Sequence, residues 1–176
     1  MVDFVPGWMQ QSPALLFWII PVLAFMEACL GIGLFVSGLL LLSTASVLYS
    51  QELVDLSVLA CSAFFGAMLG DHVSYYGGYW LGPRLHKTRL FQRHHKTTAR
   101  AESLFKRSAG FAVIIGRLIP AVRSLTPMMA AISGVRPGQF LRYDLVACSI
   151  WTTGLVLLVL GINQVLSLQD QIPASP

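Results

Sequence analysis

Arg117 and Arg123 are the only charged residues in the stretch from Ala109 to Gly134, AGFAVIIGRLIPAVRSLTPMMAAISG, which Pro120 and Pro127 interrupt. A guanidinium at membrane depth is costly unless something fixes it and uses it. Its planar fork of donors matches a phosphate or a carboxylate bidentately, so two of them in one apolar run point to a buried site for an anionic group. They stand six residues apart with Pro120 between them, which suits one arginine on each side of a bend, both facing one cavity. The plainer account is structural pairing, with an acid or with carbonyls freed by broken helices.

Glu27 is the sole ionisable residue from Ala14 to Leu48. Burial disfavours a charged carboxyl and a neighbouring arginine favours it, so a glutamate facing Arg117 and Arg123 can exchange protons near neutral pH. Glu27 is therefore expected within reach of at least one of them, as a proton carrier. Asp71 shares a helical face with Ser74, Tyr75, Gly78 and Gly82. It either pairs with an arginine or caps the interfacial end of its helix, and His72 beside it reads as interfacial. His86, His94 and His95 sit among Lys and Arg without the acids or cysteines that a metal site needs, so they read as a solvated face. Cys29, Cys61 and Cys148 lie in apolar surroundings without metal-like spacing and read as small core residues. No metal or cofactor is expected. With no nucleophile beside a base and no glycine-rich loop after a strand, neither is an enzyme.

The elements that position these residues must lie in a bilayer. Hydrophobic residues make up 55% of the 176, charged residues only 11%, and mean hydropathy is +0.67, whereas soluble domains carry roughly 25% charged residues. One membrane domain fills the chain. The net charge of +4 does not point to nucleic acid, because eight of the twelve Lys and Arg fall between Arg84 and Arg107. A basic block flanked by apolar runs faces cytoplasm and anionic headgroups. The N-terminal MVDFVPGWMQQSP has an acid in place of a basic n-region, so no secretory signal is expected.

Four apolar stretches follow. Residues 14–48 are too long for one span of roughly 20 residues and too short for two with a turn. Pro21, Gly31, Gly33 and Ser37-Gly38 interrupt them, which predicts a re-entrant helical pair. Residues 54–82 can cross once, with Gly66 and Gly70, then Gly78 and Gly82, in the small-xxx-small spacing of close helix packing. Residues 83–108 form the basic segment, whose Ala101, Leu104, Phe105 and Ser108 predict an amphipathic surface helix ended by Gly110. Residues 109–134 predict a second re-entrant pair, and residues 139–168, with Arg142 and Asp144 at their mouth, a second span. Sliding the first half by 96 positions sets Glu27 on Arg123, Gly31 on Pro127, and Ser37-Gly38 on Ser133-Gly134. The expected fold class is thus all-α integral membrane: two inverted repeats, each a re-entrant hairpin plus a spanning helix, with the site where the broken segments meet.

The segment GRLIPAVRSLTPMMAAISG resembles the signature of the DedA family, also called the SNARE-associated or VTT-domain family. GDHVSYYGGYWLGPRL is similar to that family's Gly-Asp, Tyr, Gly pattern, and AFMEACL to its first re-entrant segment, the likeness covering roughly residues 15 to 165. The resemblance implies a multi-pass inner-membrane protein that moves lipids, in a family linked to undecaprenyl phosphate recycling, phospholipid transport and the proton motive force. It carries the functional charged positions onto Glu27, Arg117 and Arg123, and the Gly-Asp motif onto Asp71. Two departures stand out. Many members have a second acid where this chain has Leu39, and many have a further C-terminal helix where this chain reads NQVLSLQDQIPASP.

The expected function is translocation of an anionic lipid, a polyprenyl phosphate or phospholipid, across the cytoplasmic membrane with coupling to protons. Arg117, Arg123, Pro120 and Pro127 would bind the substrate, with Glu27 and Asp71 handling protons. A proton or cation antiporter and a non-transporting membrane organiser are the alternatives, and a homo-oligomer would cover an exposed face.

Overall fold

The computed structural model describes residues 13–29, 38–85, 103–105, 107–119 and 122–170, and among them all regular structure is helical. Besides the helical positions 103–105 and 107, six helices follow in order among these residues: α1 Pro13–Ala28, α2 Gly38–Ser50, α3 Leu56–Leu85, α4 Ala109–Leu118, α5 Thr126–Ile132 and α6 Pro137–Asp170. Among these residues only α3 and α6 are long and apolar enough to cross a bilayer, over 25 residues from Leu56 to Trp80 and 32 from Pro137 to Leu168. The 16 residues of α1 extend only about 24 Å at 1.5 Å per residue, short of a hydrocarbon core of about 30 Å. With 13, 10 and 7 residues, α2, α4 and α5 are shorter still.

Each interrupted stretch therefore contributes two short helices. Pro127 stands in the first turn of α5, where its missing N–H is no loss. Pro21, by contrast, lies inside α1. Gly31, Gly33, Ser37 and Pro120 lie outside the described residues, as do 86–102, which hold His86, His94, His95 and most of the basic segment.

The two long helices run antiparallel. Leu59, Ala63 and Ala67 from the start of α3 share one apolar cluster with Leu155 and Val159 from the later part of α6. Tyr75, further along α3, instead stacks on Phe140 near the start of α6 at 4.4 Å. The first cluster also takes in Ile20, Ala24 and Ala28 of α1 and Leu41, Ala45 and Leu48 of α2. Val113 of α4, Ala130 and Ala131 of α5, and Phe105 complete the second. Asp71 lies on α3 between Ala67 and Tyr75, so a charged layer separates two apolar ones.

Glycines set the closest approaches. A Cβ on Gly66 would overlap the Pro21 backbone, and one on Gly70 would stand 2.6 Å from the Phe25 carbonyl oxygen, so α1 presses directly on α3. Gly78 does the same for α5 at Met128, where the distance would be 2.8 Å. Only hydrogen fits at these crossings, as the small-xxx-small spacing implies.

The packing pattern is nearly invariant when α1, α2 and α3 are exchanged with α4, α5 and α6. α1 packs on α3 as α4 packs on α6, and α5 packs on α3 as α2 packs on α6. The α5–α6 contact is the exception. Helix ends agree: α2 and α5 both close with the same pair of bonds. Leu53 N–H donates to Leu48 O and Glu52 N–H to Tyr49 O at 3.0 Å each, while Val135 donates to Ala130 O and Gly134 to Ala131 O at 3.1 Å each. The residue that reverses the chain has positive φ in each case, 56° at Glu52 and 80° at Gly134, the left-handed cap that ends many helices.

These caps correct two expectations. Glu52, not Gly38, corresponds to Gly134: Gly38 opens α2 whereas Gly134 follows the end of α5. Glu27 likewise corresponds to Arg117, each being the penultimate residue of the first short helix of its half, so the register of 96 does not hold. The identities behind it were few, and helices of unequal length shift the offset along the chain. Gly110 does not end a helix either. It is the second residue of α4, and its lack of a side chain makes room for the Tyr143 ring, which a Cβ would approach to 2.5 Å.

Candidate functional site

Four helices and one turn bring five charged side chains into the layer between the apolar clusters. Glu27 ends α1, Arg117 ends α4, Arg123 sits in the turn that joins α4 to α5, and Asp71 and Asp144 come from the middle of α3 and the early part of α6. Glu27, Asp71 and Asp144 are 2%, 1% and 1% exposed. Groups so far from water persist only when paired.

The pairing divides the layer in two. Glu27 Oε1 accepts from Arg123 Nη2 at 2.5 Å, and the Arg123 guanidinium lies 5.3 Å from the centre of the Trp151 ring on α6, within cation–π range. The carboxyl of Glu27 also rests against Gly38 at the start of α2, where a Cβ would stand 2.6 Å from Oε1. That position suits an anion, because the first turn of a helix carries partial positive charge.

Arg117 takes two acids instead. Its Nη1 contacts Asp71 Oδ2 and reaches Asp144 Oδ1 at 3.2 Å, so one guanidinium links the two long helices. His72 joins them: Nδ1 stands 2.9 Å from the Met68 carbonyl oxygen and 3.6 Å from Asp144 Oδ2. Cys148 Sγ is 3.9 Å from Asp71 Oδ2. The ligand atoms of Asp71, Asp144 and Cys148 lie within 4.8 Å of one another, a spacing that a metal would accept. The cation already between the two carboxylates is Arg117.

Both arginines line one small cavity with Ala28 and Asp71, of about 10 Å³. That is room for about one water and none for a phosphate group. Three buried polar atoms around the layer have no hydrogen-bond partner: Glu27 Oε2, Asp144 Oδ2 and Arg117 Nε. Each such atom costs roughly 1–3 kcal/mol, so the arrangement holds unused capacity for donors and acceptors. Val122 and Leu125, on either side of Arg123, line an apolar groove of about 350 Å³ with Phe111, Ile115 and Ile119.

Asp71 thus meets an arginine and does not cap a helix end. His72 belongs to the charge layer, not only to an interface, and Cys148 is a buried core residue that also touches the layer. Pro127 is buried in the first turn of α5, and Leu39, the position at which the family resemblance led one to look for a second acid, is 72% exposed. Sequence reading missed Asp144. The available signal was an acid seven residues into an apolar helix, in line with Ala147, Cys148 and Leu155, all buried.

Comparison with known proteins shows what the chain is similar to. The VTT domain matches residues 20–161. An uncharacterized membrane protein of Mycobacterium leprae is 31% identical over 157 residues, 81% of this chain and 70% of its own length. The inner membrane protein YghB of Salmonella typhimurium is 33% identical over 130 residues, 73% of this chain and 59% of its own. YabI, an inner membrane protein of Escherichia coli, is 20% identical over 151 residues, 86% of this chain and 59% of its own. This chain spans between about half and 70% of the length of the relatives it matches. No solved structure matches it. The matched domain takes in every charged residue of the buried layer, and this chain belongs to the VTT-domain or DedA family of inner-membrane proteins.

Proposed function

We propose that this protein is a transporter that moves an anionic lipid, a polyprenyl phosphate or a phospholipid, across the inner membrane. The carrying observation is the Glu27–Arg123 pair at 2.5 Å, which joins the two halves inside the layer. A carboxylate on an arginine fork occupies the acceptor position that a phosphate oxygen would take. The headgroup would displace Glu27 from Arg123 and accept from the free Nε of Arg117. Its tails would stay in lipid or in the apolar groove beside Arg123. The 10 Å³ cavity is then the closed state, with the acids holding the place of substrate.

In the same proposal the halves are inverted repeats whose short helices enter and leave on one side. The antiparallel course of α3 and α6, the near-invariant packing pattern and the matching ends of α2 and α5 support it. Positive-inside logic puts the basic segment in the cytoplasm. The partners are an anionic lipid, protons and a second copy of the chain; no reaction is catalysed.

The cavity size favours one second reading, a proton or cation antiporter, since a bare ion needs no headgroup space. Reconstitution in liposomes separates the two: lipid movement under a pH gradient without cation flux supports the lipid reading, and cation flux alone the antiporter. Arg123→Lys and Arg117→Lys sharpen it. Lysine keeps the charge and loses the fork, so both variants should insert normally and lose most lipid transport. Full transport by either at normal expression excludes a bidentate phosphate site.

A further inference from the structure

The buried layer does not balance. Among the described residues it holds three carboxylates, Glu27, Asp71 and Asp144, against two guanidiniums, Arg117 and Arg123. An uncompensated carboxylate in a dry interior is expensive, so the layer needs one further positive charge or one protonated acid.

Geometry shows which acid is in excess. Glu27 has Arg123 to itself, whereas Asp71 and Asp144 divide one Arg117 nitrogen between them. Asp144 shares the same Arg117 nitrogen at 3.2 Å through Oδ1, and its Oδ2 has no hydrogen-bond partner. The group facing that oxygen is His72 Nδ1, 3.6 Å away. Nδ1 is also 2.9 Å from the Met68 carbonyl oxygen, which can only accept, so Nδ1 carries hydrogen and Nε2 remains to take a second proton. The His72 side chain is 24% exposed while that of Asp144 is 1% exposed. The imidazole is thus the rim of the layer and the carboxyl its interior.

α3 supplies Asp71 and His72, α4 supplies Arg117, and α6 itself adds Cys148 beside Asp71. Glu27 at the end of α1 is taken by Arg123. The helices α2 and α5 carry no acid, base or histidine.

We propose that Asp144 and His72 form a proton-binding site that holds one exchangeable proton, as imidazolium against carboxylate or as the Asp144 carboxyl, and so neutralises the Arg117 cluster. When that proton leaves, Asp71 and Asp144 compete for Arg117 as two full charges. The inference deepens the transporter reading and rests on it only for what the proton drives; occupancy of the site is independent of any lipid.

Infrared difference spectra of the full chain in nanodiscs, stepped between about pH 5 and pH 8, test it without substrate. Beyond the signals of His86, His94 and His95, subtracted with a variant in which all three are glutamine, the wild type should show an exchange-sensitive carboxyl or imidazole transition of one proton per chain. Asp144→Asn should abolish it, and His72→Gln should shift its midpoint while leaving the fold intact. Glu27→Gln should leave it in place. Survival of the transition unchanged in both Asp144→Asn and His72→Gln, or its loss in Glu27→Gln alone, overturns the site. Asp144→Glu guards against a misfolded asparagine variant, since it should restore a one-proton transition. Loss of lipid transport in liposomes with this transition intact would defeat the transporter reading and leave the proton site standing.

Discussion

The two halves of the molecule share helix order, packing partners and the way their second short helices end, yet carry opposite charge at the same place. α1 ends on Glu27 and α4 on Arg117. Two copies of one half, brought face to face, would bury like charges and repel. Opposite charges at the penultimate residues avoid that repulsion. The second half adds Arg123 in the turn beyond α4, which takes Glu27, while Arg117 takes Asp71 of the first half and Asp144 of its own.

Removing the charge that ends α4 is the severest way to break this comparison. Arg117→Ala leaves Asp71 and Asp144 together without their shared guanidinium, and loss of about 3–5 kcal/mol is expected. Thermal unfolding in nanodiscs measures it, and Asp144→Asn in the same background should recover part. Equal destabilisation by Arg123→Ala would contradict the division of the layer, because Arg123 is half-buried and holds one acid.

Next in size are the helix crossings, one within a half and one between halves. Gly70→Ala sets a Cβ against backbone of α1 and should cost about 1–3 kcal/mol, as should Gly78→Ala against α5. Gly161→Ala meets nothing within 4 Å and serves as the control; a similar loss there would show that helix flexibility, not packing, is being read.

Exchanging the charges across the halves tests their pairing itself. Glu27→Arg and Arg123→Glu should each be destabilising, and the double variant should recover a coupling of about 0.5–3 kcal/mol in a double-mutant cycle. Strict additivity would mean that the 2.5 Å contact contributes nothing.

The smallest effect lies at the matching helix ends. Glu52 holds a left-handed conformation that glycine adopts freely, so Glu52→Gly should stabilise the protein by up to about 1 kcal/mol, and Gly134→Ala should destabilise it by about the same amount. Opposite signs in melting temperature confirm that the two turns are equivalent.

Much of this was legible in the residues themselves. Apolar composition determines a bilayer as solvent, and two stretches interrupted by proline and glycine, each followed by a long uninterrupted one, determine short helices before a spanning helix. Two arginines in an apolar run determine that acids must come to them. What the chain cannot state is which acids. Arg142 and Asp144 stand two residues apart and look alike as polar residues at a helix mouth, but two residues turn a helix by about 200°. One side chain is exposed and the other 1% exposed. Only the packing of α6 on α3 and α4 chose which of them faces inward. The same packing brought Asp71 and Asp144, distant in sequence, to one guanidinium, and left a charge imbalance that no single segment contains.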